Sequence, residues 1–207
     1  MSSVTDDFTV TATDAELNAL AEKLRERNFE VVIVDSPADA KAEVMSRIPE
    51  GSEVHSAKSK TLEDIGVFKE LMESGKYDFL RIKQFKMDRN TQAREMRKLV
   101  AAPDIEVGSV HAVTREGQLV EASASGSQMG PYSGSSGHLI LVVGSQKIVP
   151  DLDTAIRRIH SYVMPYEDAR LREQMGVGTK VARILIIERD YMPGRTTVIL
   201  VRQPVGF

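Results

Sequence analysis

The sequence predicts an α/β protein: a Rossmann-like, mostly parallel sheet flanked by helices, with a C-terminal β-hairpin at the sheet edge. Three observations carry this expectation. Over the first hundred residues, amphipathic helical patterns alternate four times with short strand-like segments, the rhythm of parallel strands joined by crossover helices. Leu139 to Val143 are five consecutive apolar residues bounded by Gly137 and Gly144, which fits a strand covered on both faces. Near the end, residues 182–187 and 196–201 read as strands joined through Met192-Pro193-Gly194, close enough to pair as a hairpin.

Composition sets the outer bounds. A chain of 207 residues accommodates one α/β domain with a sizeable core or two small domains. With no internal repeat and no clear boundary, the expectation is a flexible tail over residues 1–12 and a single domain over 13–207. Hydrophobic residues are 42% and charged residues 28%, as in ordinary globular proteins. A net charge of −3 argues against electrostatically driven binding to nucleic acid or to a membrane surface. The absence of cysteine excludes disulfides, cysteine-ligated zinc and cysteine-bound iron–sulfur clusters in this chain. No apolar run approaches the roughly 20 residues that span a bilayer, and the first residues lack a signal-peptide layout. The expected compartment is the cytoplasm.

The elements follow in order. Thr13 with Glu16 forms a capping-box pattern before a helix whose inner stripe is Leu17, Leu20, Ala21 and Leu24, with Asn28 as its stop. Residues 31–34 are a short apolar strand. Ser36-Pro37 opens the second helix as cap and first turn, and Pro49-Glu50-Gly51 closes it. Residues 53–55 are a weak strand. Thr61 with Asp64 opens a third helix carrying Leu62, Ile65, Phe68, Leu71 and Met72, which Gly75 stops. Residues 77–82 suit another strand, and 90–101 a charged helix with Met96, Leu99 and Val100 on one side. Residues 108–150 combine an apolar segment, the turn at Arg115-Glu116-Gly117, a strand at 119–120, a glycine- and serine-rich loop and the apolar strand at 139–143. Asp151 caps a helix to residue 163, which Met164-Pro165 breaks. A short polar helix over 167–174 and a Gly176/Gly178 loop lead to the final strands.

Several segments carry chemistry, each beside a plainer alternative. The loop over residues 123–137 holds Gly126, Gly130, Gly134 and Gly137 among six serines. Glycine permits φ > 0, so backbone N–H groups can converge on an anion, with Ser125, Gly126 and Ser127 as the candidate contacts. A surface connection has the same composition, and neither a phosphate-loop lysine nor GxGxxG spacing is present. His55-Ser56-Ala57-Lys58-Ser59-Lys60-Thr61 joins a strand to a helix start, the carboxyl edge where parallel sheets bind ligands. Lys58, Ser59 and Thr61 there suit a phosphate or carboxylate; helix capping with solvated lysines is the alternative. His55, His111, His138 and His160 lack metal-ligand spacing, and no metal or other cofactor is expected. The strand at 119–120 is flanked by Glu116 and Glu121, either of which is a weak candidate for nucleophile or base or a solvated turn residue. The charged stretch 89–98, with Arg94 and Arg97, reads as an exposed face.

Four motifs together resemble one family. Ala112-Val113-Thr114-Arg115-Glu116-Gly117-Gln118-Leu119-Val120 is similar to the AVTEDGQLV signature of LUD-domain proteins. Thr61-Leu62-Glu63-Asp64-Ile65-Gly66 matches their TLEEIG helix start. Lys147-Ile148-Val149-Pro150-Asp151-Leu152 with Ala155-Ile156-Arg157-Arg158-Ile159 resembles their KIV-x-DL…A-x-x-RI segment, and Pro193-Gly194-Arg195 with the following strand and Gly206-Phe207 resembles their ending. The motifs occur in the family's order over nearly all the chain after residue 13. The resemblance implies a fold like that of the CoA-transferase and ribose-phosphate-isomerase superfamily. It also implies kinship with lactate utilisation protein C, whose relatives act in oxidation of lactate to pyruvate beside iron–sulfur partners. The family's GFGGS is His55-Ser56-Ala57-Lys58-Ser59 here, keeping the serine alone. Arg115 stands in place of a glutamate, Ser125-Gly126-Ser127-Gln128 replaces a G-x-GNR segment, and the cysteine cluster of many relatives is missing.

The functional expectation is therefore a divergent LUD-domain protein of lactate or organic-acid metabolism. It would bind a small organic-acid or phosphate-bearing ligand at the carboxyl edge of the sheet, between Lys58, Ser59 and Thr61 on one side and Ser125, Gly126 and Ser127 on the other. Two alternatives stand beside it: a non-catalytic accessory subunit that docks on an iron–sulfur or flavin oxidoreductase, and an acyl- or CoA-transferase-like enzyme using Glu116 or Glu121. A homodimer stays open.

Overall fold

A computed structural model describes residues 7–57 and 59–207 of the chain. The first helix, α1 (Asp14–Arg25), starts at the expected capping box: Thr13 Oγ1 accepts the Glu16 N–H at 3.3 Å and the Glu16 carboxylate accepts the Thr13 N–H at 2.9 Å. Asn28, with φ +66°, turns the chain out of it. Next come β1 (Glu30–Val34), α2 (Pro37–Ser46) and β2 (Glu53–His55), then α3 (Lys60–Asp64) and α4 (Val67–Glu73). β3 (Asp78–Phe79), α5 (Leu80–Phe85) and α6 (Ala93–Leu99) lead to β4 (Ile105–Gly108), β5 (Ala112–Thr114), β6 (Leu119–Ser123), β7 (His138–Gly144) and β8 (Ile148–Val149). α7 (Leu152–Arg158), α8 (Met164–Met175), β9 (Arg183–Ile187) and β10 (Thr196–Val201) complete the order.

The strands form two sheets. The larger has six strands in the order β1-β10-β7-β4-β2-β3, and every neighbouring pair is parallel. The smaller has the order β8-β5-β6-β9, with β6 antiparallel to both neighbours and β8 parallel to β5. Alternate residues of the large sheet feed two cores, as the two-residue period of a strand requires. Val107, Ile140, Val142, Ile199 and Val201 pack with Ala40, Val44, Leu62 and Leu71 of α2, α3 and α4. Leu139, Leu141, Val143, Val198 and Leu200 pack with the inner stripe of α1 and with Val113 and Leu119 of the small sheet. The far side of the small sheet packs Val120 and Val149 against Ala155 and Ile159.

The α/β class and the parallel sheet between helices are as expected, but the C-terminal hairpin is not. β10 lies inside the large sheet between β1 and β7, whereas β9 pairs with β6 in the small one. The physical reason is in the residues. Val198 to Val201 is a continuous apolar run, every one of its residues buried, and only a central strand covers both faces. Ile184 and Ile186 of β9 stay exposed at an edge. Residues 77–82 shorten to β3 and then turn helical. The third helix is split by Gly66 at φ +76°, and Ser59, not Thr61, caps α3. Met164-Pro165 does not break the helix: a π turn at Ile159–Val163 carries it into α8, and the proline follows directly on that change of hydrogen-bond register.

Of the expected tail, residues 1–6 lie outside the described residues. Phe8 packs against Tyr162, with ring centroids 5.9 Å apart, and the Ala12 N–H donates to the Ser145 carbonyl at 3.3 Å. Among the described residues no helix is long and apolar enough to cross a membrane.

Candidate functional site

Parallel strands that share a sheet end at the same edge, so the segments that follow β2, β4, β7 and β10 converge. Ser59 and Thr61 lie after β2, Ser109 after β4, Lys147 after β7 and Phe207 after β10. Together with Glu121 of β6 and part of α8, they line a cavity of about 280 Å³. Two glycines permit the convergence. A Cβ on Gly108 would overlap the Tyr132 hydroxyl, and one on Gly206 would overlap Thr61 Oγ1.

Lys147 is the most unusual group in this cavity. Its side chain is buried, and Nζ donates to Thr61 Oγ1 at 2.8 Å and to Ser109 Oγ at 2.9 Å. It forms no ion pair with any described residue. Burial, with Arg158 adding to the effect and Glu121 and Asp64 opposing it, pulls its amine down to about 7. The Tyr132 hydroxyl locks the neighbouring backbone: it accepts the Ser109 N–H at 3.1 Å and donates to the Ser109 carbonyl at 2.9 Å.

Opposite stands Glu121, also buried. Its Oε1 accepts from Gln128 Nε2 at 3.0 Å, and Gln128 Oε1 in turn accepts from Ser123 Oγ at 3.0 Å. Its Oε2 lies 2.7 Å from His111 Nδ1, which also receives the Ala122 N–H at 3.0 Å. With its lone pair turned to the Ala122 N–H, Nδ1 brings no hydrogen to Glu121, whose Oε2 is a buried acceptor without a hydrogen-bond partner among the described residues. Arg158 supports His111 from behind: Nη1 donates to the His111 carbonyl at 2.6 Å, and the guanidinium lies over the Tyr162 ring at 5.1 Å. Its burial lowers it to about 10.

A fully buried pair lies in the large sheet. His55 of β2 and Glu106 of β4 are register partners, both fully buried, with Nδ1 and Oε2 2.6 Å apart. Burial pushes the Glu106 carboxyl up, and His55 opposes the shift. Arg81, partly buried and lowered by that burial, acts on Glu106 through space and reaches the cavity.

The structure brings together most of the residues selected from sequence. Ser59, Thr61, Ser125, Ser127 and Glu121 all line this one cavity. Gly126 adopts φ +81°, but its N–H donates to Ser123 Oγ at 2.8 Å and is already committed. Glu116 does not line the cavity; it sits at an exposed turn whose carbonyl accepts from Arg27 Nε at 2.6 Å. Lys58 lies outside the described residues. Sequence reasoning missed Lys147, Ser109, His111, Tyr132 and Arg81. For Lys147 one signal was available: a single lysine leading directly into the apolar Ile148-Val149, after a doubly buried strand. Among the described residues no group of three or more histidines, aspartates and glutamates is arranged to hold a metal ion.

Comparison with known proteins gives a family and a fold. The family model described as the LUD domain matches residues 17–201. A DUF162 family protein from Deinococcus radiodurans has a similar structure, with a TM-score of 0.55 at 11% identity, covering 93% of this chain and 99% of that one. A D-ribose-5-phosphate isomerase in complex with phospho-erythronic acid overlaps 56% of this chain and 54% of its own, with a TM-score of 0.37 and 17% identity. The ribose 5-phosphate isomerase of Plasmodium falciparum overlaps 55% and 52%, with a TM-score of 0.33 and 11% identity. No curated protein matches the sequence.

Proposed function

The chain belongs to the LUD-domain family, and on that premise we propose that it binds a small anionic ligand of organic-acid metabolism, lactate-like in size, in the cavity at the carboxyl edge of the large sheet. The observation that carries this reading is Lys147: a buried amine whose partners are two hydroxyls and no carboxylate, at a cavity wall that a ligand's carboxylate or phosphate can reach. Arg81 supplies the positive charge, and Ser59, Thr61, Ser125 and Ser127 add hydroxyl donors around the same space. Lys58, selected from sequence for the same wall, completes the proposed set.

Isothermal titration of the protein with lactate, pyruvate, inorganic phosphate, nucleotides and CoA tests this reading. At least one of these anions binds, and Arg81→Ala weakens that binding about tenfold or more, as loss of a charged hydrogen bond does. Failure of every anion to bind removes the proposal.

A further inference from the structure

We propose that Lys147 is a nucleophile that condenses reversibly with the carbonyl of a short 2-oxo acid to form an imine. This deepens the anion-binding reading and rests on it: the acid's carboxylate is the anion, and its carbonyl is what meets Nζ.

The argument begins with the hydrogen bonds. Nζ donates to Thr61 Oγ1 and Ser109 Oγ at 2.8 and 2.9 Å. These two bonds use both hydrogens of a neutral amine and leave its lone pair unspent. A lysine whose only task is to hold an anion gains from being fully charged. This one is buried without a carboxylate partner, which favours the neutral form. Its amine, at about 7, is therefore substantially unprotonated at neutral pH. Burial and neighbouring cations are how proteins prepare lysine to attack carbonyls, and here Arg158 supplies the cation while Glu121 and Asp64 act against it.

The rest of the condensation has a donor. The Nζ lone pair adds to the carbonyl carbon: the N–C bond forms, the C=O π bond breaks, and the oxygen takes up a proton. The resulting carbinolamine then expels that oxygen as water as the C=N bond forms. One amine and one carbonyl give one imine and one water, with no change of oxidation state. Both hydrogens of the amine leave on that oxygen as water, passed on by the Thr61 and Ser109 hydroxyls that already accept them from Nζ. The space, about 280 Å³, is at the small end of ligand sites, as a short 2-oxo acid requires.

The test is reductive trapping. The full-length protein is incubated with pyruvate or glyoxylate, reduced with borohydride, and examined by intact mass and peptide mapping. A single adduct on the peptide containing Lys147 is expected, forming faster as pH rises through about 7. Lys147→Arg and Lys147→Met abolish it, and their thermal unfolding establishes that they fold. No adduct at Lys147, or labelling spread over surface lysines, overturns the imine. Calorimetry on the same samples separates the two readings: pyruvate or phosphate binding without an adduct overturns the imine and leaves anion binding in place, whereas neither binding nor an adduct removes both.

Discussion

Lys147 couples the site to the stability of the molecule. Its folded amine lies near 7, below the ordinary value of 10.5. Between these two values the unfolded chain holds a proton that the folded chain does not, so stability rises as pH climbs from about 7 to about 10. Below 7 the folded state carries a buried ammonium at a cost on the order of a few kcal/mol. Lys147→Met removes that cost, and Thr61 Oγ1 can still donate to Ser109 Oγ at 3.2 Å. The expected result is a variant whose melting temperature exceeds that of the wild type at pH 6, by a margin that shrinks toward pH 9. A margin independent of pH would show that the amine does not titrate in this range. Glu106 behaves differently, because its partner is a neighbouring side chain. Glu106→Ala strands buried His55 and is expected to cost about 3–5 kcal/mol in urea unfolding.

At the scale of elements, position in the sheet decides how much a residue contributes. Ile199 in β10 is 0% exposed and Ile186 in β9 is 38% exposed. Ile199→Ala should cost about 2–5 kcal/mol, whereas Ile186→Ala, half in solvent at an edge, should stay near 0.5 kcal/mol or below. Equal costs would contradict the placement of β10 in the middle of the large sheet. The end of β4 is a second sensitive point, since a methyl on Gly108 would occupy the place of the Tyr132 hydroxyl. Gly108→Ala should cost about 1–3 kcal/mol through overpacking. It should also weaken anion binding, because Ser109, which Tyr132 holds by two hydrogen bonds, is a partner of Lys147. These elements were unevenly legible. The capped starts of α1 and α2 and the buried strand β7 are written in local residues. The placement of β10 had a cue in its unbroken apolar run, but a nearby turn suggested the wrong partner. The π turn before α8 is where local rules misled, because a proline that follows a π turn and a proline that breaks a helix are the same residue in sequence.

For the whole molecule, the cavity draws on both sheets: Ser59, Thr61 and Ser109 come from the edge of the large sheet and Glu121 from the small one. A ligand that fills it bridges the two and binds only the folded state. At a concentration of 100 times Kd, such a ligand stabilises by about 2.7 kcal/mol, or roughly 5–10 °C for a domain of this size. A thermal shift of that order with a bound anion, cut to about half or less in Arg81→Ala at the same concentration, is the expected outcome.

Residue order alone determined the α/β class, the parallel sheet, the family likeness and the two hydroxyl-rich segments with Glu121 that now share one cavity. Those features follow from spacing, capping and composition, which are local. Only the tertiary structure decided that Lys147 is buried beside Thr61 and Ser109, that His111 meets Glu121, and that His55 meets Glu106. Lys147 lies 86 residues from Thr61 and 38 from Ser109, and His55 lies 51 from Glu106; burial, which sets the charge of a lysine or a glutamate, is a property of everything packed around it.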